Sequence, residues 1–108
     1  MEALTKEKVS KLVQHEIESM SESNRTFILE KLISPRPKTL TWEYGNEEEY
    51  EAWLFAEMGE RNIGLVYCLG GFGAFGSPWG LIFSNSSNFG MDPGWYRNLK
   101  DLVSEWLI

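Results

Sequence analysis

Two stretches have residue types and spacing that chemistry could use. Gly71-Phe72-Gly73-Ala74-Phe75-Gly76 has the G-x-G-x-x-G spacing of a dinucleotide loop, and Glu47, Glu48, Glu49 and Glu51 offer clustered carboxylates. A dinucleotide loop must open a helix whose N-terminal amides hold pyrophosphate, inside a parallel βαβ unit, with an acidic residue about 20 positions later for the ribose. Here Ser77-Pro78-Trp79-Gly80 follows, then an apolar β-like run, so no helix starts where one is required, and Asp92 is better used as a helix cap. The loop also lacks the lysine of a Walker motif. Its glycines fit a rigid strand-to-strand turn, with Phe72, Phe75 and Trp79 as apolar anchors that pin it.

Other catalytic readings fail on similar grounds. Paired carboxylates work when they converge in a cleft whose environment separates their acidities, whereas consecutive glutamates at a turn splay into solvent. Ser77, Ser84, Ser86 and Ser87 lack the G-x-S-x-G setting, and His15 lies about 60 residues away on the polar face of a helix. With one histidine and one cysteine, the chain cannot assemble a Cys/His zinc site alone. Cys68 sits in an apolar run and reads as a core residue. The expectation is a protein that is not an enzyme, with no catalytic, cofactor-binding or metal-binding residues.

The elements that would position these residues follow from periodicity. In "TKEKVSKLVQHEIESM", Val9, Leu12, Val13, Ile17 and Met20 recur at helical spacing behind a Thr5 cap. A second helix is expected over "SESNRTFILEKLI", capped by Ser23 or Asn24, buried through Phe27, Ile28, Leu32 and Leu29, and stopped by Pro35 and Pro37. "KTLTWEYG" alternates with period two and ends at a Gly45-Asn46 turn. Residues 47–58 suit either a helix or a strand, and the hairpin-like Gly59 to Asn62 segment favours a strand. "IGLVYCL" and "WGLIFS" continue the sheet, "NSSNFG" reads as a surface turn, and Trp95, Leu99, Leu102, Val103 and Trp106 suit a closing helix capped by Asp92 with Pro93 first. The fold expected is one α+β domain over residues 1–108: an N-terminal helical pair, an antiparallel sheet of three or four strands, and a C-terminal helix packed on it.

Charge indicates what such a domain would meet. The formal net charge is −6, and its excess is local: residues 35–60 hold two basic and seven acidic groups, against five and six before them and three and three after. An acidic patch repels phosphate backbones and attracts cationic surfaces, so the partner expected is a basic protein and not nucleic acid; solubility alone is the competing explanation. No apolar run approaches the roughly 18 residues that span a bilayer, and "MEALTKEKVS" has no signal core, so a cytoplasmic protein without membrane contact is expected. Tyrosine and tryptophan are favoured in binding hot spots, which makes Tyr50, Trp79 and Tyr96 candidates. Trp79 and Trp95 could equally be core residues, as tryptophans of small domains commonly are.

In the last third of the chain, the order Gly71-Phe72-Gly73, Pro78-Trp79-Gly80-Leu81, Gly90-Met91-Asp92, Trp95 and Leu99-Lys100-Asp101 resembles small bacterial immunity proteins of contact-dependent inhibition and related polymorphic toxin systems. The resemblance implies an α/β protein that binds and neutralises a cognate toxin domain, often a nuclease, inside the producing cell. It transfers no toxin-contacting position. The charge argument assigns contact to Glu47, Glu48, Glu49 and Glu51, as phosphate mimics or rim charges occluding the active site, with Tyr50, Trp79 or Tyr96 as aromatic anchors. Two other functions remain: an acidic adaptor or regulatory module without a toxin partner, and a small-molecule binder using the glycine-rich loop.

Overall fold

Val9, Val13 and Ile17 fall on one side of a helix, α1, spanning Lys6–Glu18, and all three are buried in the computed structural model, which describes residues 4–42, 48–85, 87–89 and 94–107. Thr5 caps α1 as expected, its hydroxyl accepting from the Lys8 amide at 3.2 Å. The second helix, α2, spans Glu22–Leu29 and is capped by Ser21, two residues before Ser23 and three before Asn24, the expected caps. Ile28 is buried and Leu29 is exposed.

The prolines do not end α2. Strand β1 runs Leu32–Trp42 and includes both prolines, Pro35 within a register shift between Leu32 and Arg36 and Pro37 paired with Trp53, so Leu32 belongs to the sheet. The sheet order explains why: β1, β2 (Glu48–Met58), β3 (Ile63–Tyr67), β4 (Trp79–Phe83) and β5 (Trp95–Tyr96) form an antiparallel meander with β1 at its edge. An edge strand needs ladder donors on one side only, so prolines are tolerated there. The ambiguous 48–58 segment is a strand, and the turn after it is a short 3-10 segment, Gly59–Arg61, closed by Asn62 at φ 54°. The expected Gly45-Asn46 turn lies outside the described residues.

Among the described residues the sheet has five strands, not three or four, because Trp95 and Tyr96 pair with β4 instead of starting the closing helix. Gly80 permits this: a Cβ there would meet the Trp95 ring at 2.5–2.6 Å, so the indole occupies the space above the glycine. Helix α3 is accordingly shorter, Leu99–Trp106. The expected Asp92 cap and Pro93 lie outside the described residues; the cap of α3 is Asn98, whose side chain accepts from Asp101 N at 2.9 Å, while the Glu16 carboxylate of α1 accepts from Leu99 N at 2.8 Å. A carboxylate at a helix N-terminus also opposes the positive end of its dipole. Asn98→Ala is expected to cost about 1 kcal/mol, read as a lowered denaturant midpoint at unchanged slope.

The three helices cover one face of the sheet, packing Val9, Ile17, Ile28, Leu99, Leu102 and Val103 against Phe55, Leu65 and Trp79. The opposite face carries a second core of Leu40, Ala52, Leu54, Val66, Cys68, Ile82, Phe89 and Trp95. No helix covers it. The chain after β4 does: Thr41 N donates to Ser87 O at 2.7 Å and Phe89 N to Thr41 O at 3.3 Å, which ties residues 87–89 to the edge strand β1. "NSSNFG" is therefore not simply a surface turn, since Phe89 is fully buried.

Candidate interaction site

Strand alternation divides the acidic run. Trp42 pairs with Glu48, Thr41 with Glu49, Leu40 with Tyr50 and Thr39 with Glu51. Successive side chains point to opposite faces, so Glu48 and Tyr50 share the face of the second core, while Glu49 and Glu51 project from the other. All three described glutamates are exposed; Glu47 lies outside the described residues. The carboxylates thus do not converge as one patch.

What does converge is an acid–aromatic corner at one end of the second core. The Tyr50 hydroxyl donates to Glu48 Oε2 at 2.9 Å. That hydrogen bond to a carboxylate, with partial desolvation and the Glu48 charge behind it, raises the phenol above its ordinary pKa of 10.0. Behind the pair stands a set of aromatic rings. Trp42 meets Phe72 edge-on at 4.8 Å and Phe89 at 5.3 Å; Phe89 in turn meets Tyr50 at 6.0 Å and Trp95 at 5.2 Å. The buried Trp95 Nε1 donates to Phe89 O at 2.7 Å, satisfying the indole.

The glycine-rich loop is built into this corner. Gly71–Phe75 is a 3-10 turn joining the antiparallel strands β3 and β4, so it opens no helix and has no parallel unit around it. Gly70 lies directly against the Tyr50 ring, and Gly71, at φ 56°, leaves room for Phe89 and Trp42. Phe72 is the anchor the turn requires. Phe75 is not: it is 79% exposed, and the expectation that it pins the loop is corrected.

Trp79 is corrected in the opposite sense. It is 3% exposed and packs against Phe55 at 5.5 Å and Tyr67 at 4.6 Å under the helices, which removes it from the surface anchors. Trp95 is likewise core. Tyr96 remains partly exposed but on the helix-bearing face, three strand spacings from β2; its hydroxyl donates to Glu105 Oε2 at 2.6 Å and accepts from Trp106 Nε1 at 2.6 Å. Desolvation first, then the Glu105 hydrogen bond, raises its pKa. Of the proposed contact residues, then, the structure joins Glu48 with Tyr50 and separates both from Tyr96.

Cys68 is buried, and desolvation raises its thiol pKa, the opposite of what a nucleophile needs. Among the described residues no three metal-ligating side chains cluster, and no helix is long and apolar enough to cross a membrane. Trp42 and Phe89 were missed as corner residues: Trp42 had a strand signal, whereas Phe89 in "NSSNFG" had none. No family model, curated protein or solved structure matches this chain.

Proposed function

We propose that this chain is an immunity-type inhibitor that binds a cationic toxin domain, a nuclease being the favoured class, and occludes its substrate site with the acid–aromatic corner. The observation that carries this reading is the Glu48–Tyr50 pair: a carboxylate and a phenol oriented by their own hydrogen bond, backed by a packed aromatic wall, in the most acidic part of the chain. A nuclease groove collects cations to hold phosphates, and a fixed carboxylate competes for the same groups. Glu49 and Glu51, pointing the other way, add to the long-range field but not to the contact. Tyrosine beside a carboxylate supplies apolar area and a polar tip at little entropic cost.

The test pairs the protein with the toxin domain encoded by the adjacent upstream gene and measures association against salt. Binding is expected to weaken as salt rises. Replacing Glu48, Glu49 and Glu51 together by glutamine, which takes the formal charge from −6 to −3, is expected to slow association about tenfold or more at low salt. Absence of a complex at low salt would overturn the reading.

A further inference from the structure

We infer that Phe75 is the anchor of that interface: a ring held out on a preformed loop for insertion into an apolar socket of the cationic partner. The inference rests on the function proposed above and adds the chemistry of the partner's side.

Phe72 and Phe75 lie three residues apart on the same 3-10 turn, yet Phe72 joins the aromatic core and Phe75 stands 79% exposed. The loop backbone is tied at several points. Cys68 N donates to Pro78 O at 2.9 Å, Gly73 N to Gly70 O at 3.0 Å, Gly76 N to Gly73 O at 3.1 Å and Ser77 N to Phe72 O at 3.1 Å. Gly71 and Gly76 hold positive φ, at 56° and 98°, and the space where Gly73 would carry a Cβ is filled by the Cys68 carbonyl. A loop backbone fixed in this way leaves only the ring's own side-chain torsions to be ordered on binding, which lowers the cost of using an exposed aromatic side chain as a contact.

Its position and surroundings specify the partner. A five-residue 3-10 turn is about 10 Å long, so Phe75 lies within that distance of Gly70, which touches Tyr50. Leu69, 49% exposed, precedes the same turn. From Asn62 to Tyr96 the sequence has neither lysine nor arginine, and among the described residues Glu48 places a carboxylate at the corner. An apolar tip beside a carboxylate fits an apolar socket with a cationic rim. It does not fit a second copy of this chain, whose own negative field would oppose the approach, nor an anionic lipid surface.

The test uses the intact protein and the same upstream toxin domain. Phe75→Ala is expected to keep the unfolding midpoint close to wild type, since the ring contributes little buried area, and to weaken binding by about 30-fold or more through faster dissociation. The salt dependence should not change, and Phe75→Leu should recover part of the loss. Glutamine at Glu48 would act differently, through the association rate and its salt dependence. If wild type binds and Phe75→Ala binds within twofold of it, the anchor is overturned and the function stands. If wild type does not bind at low salt, both are overturned.

Discussion

Truncating Phe89 to alanine is expected to lower stability by about 3–5 kcal/mol, a large fraction of the roughly 5–15 kcal/mol that holds a domain together. The ring is fully buried and has aromatic neighbours on several sides: Trp42 at 5.3 Å, Tyr50 at 6.0 Å, Phe72 at 6.3 Å and Trp95 at 5.2 Å. Rings of that size cannot close over the void, because Trp95 is fixed by its hydrogen bond to Phe89 O and by the glycine beneath it, and Phe72 by the turn. Cavity cost is greatest where the walls cannot move. Urea unfolding with tryptophan fluorescence measures the loss, and Phe75→Ala, expected within about 0.5 kcal/mol of wild type, is the control from the exposed side of the same region. A loss below about 1 kcal/mol would mean that the second core does not depend on the segment carrying Phe89. Binding should suffer with stability, since Trp42 and Tyr50 would lose the ring that backs them.

The position of Phe89 also marks the boundary of what local pattern reveals. Helix α1 and its Thr5 cap are legible because both the apolar period and the capping hydroxyl lie within one continuous stretch. Strand β2 is legible only in part, since Tyr50, Trp53, Leu54 and Met58 suit a helix face while Trp53 and Phe55 alternate as on a strand; the pairing of Trp53 with Pro37 and Tyr67 decides it. Where the deciding partner is distant, local rules mislead. Pro35 and Pro37 read as a stop, and edge position makes them strand residues. Trp95 sits four residues before Leu99, as a helix would have it, but Gly80 offers its ring a place on the sheet. Phe89 lies among serine and asparagine with no period at all, and its burial follows from backbone bonds to Thr41.

The site was legible in residue type and not in arrangement. Glu48 and Tyr50 were identified from charge and from the aromatic preference of interfaces, and the structure joins them. Their neighbours Glu49 and Glu51 had the same composition, and alternation along β2 sends them to the other face. Trp79 and Phe75 exchange roles for a comparable reason: Trp79 lies on β4 pointing beneath the helices, while Phe75 lies on the last position of a turn whose preceding phenylalanine has already filled the core. Residue type proposes an aromatic anchor. The face it occupies decides which aromatic is available.

Gly73→Ala is the substitution that tests whether this loop is rigid, and it is expected to destabilise by about 3 kcal/mol or more, with loss of soluble protein as the extreme outcome. A Cβ at Gly73 would collide with the Cys68 carbonyl oxygen and lie 3.0 Å from its carbon. Both are backbone atoms, and Cys68 N is itself bonded to Pro78 O across the base of the loop, so neither strand can yield without breaking the β3–β4 closure. Gly76→Ala provides the contrast. At φ 98° it would be strained by its own backbone, but nothing lies within 4 Å of the added carbon, so the cost should stay near 1–2 kcal/mol. Thermal or urea unfolding of both variants separates a clash that the fold cannot absorb from a local conformational penalty. Should Gly73→Ala unfold at the wild-type midpoint, the loop would have to possess a second arrangement of similar energy. Phe75 would then not be held in one place, and its affinity contribution would fall by the entropy of fixing it on contact.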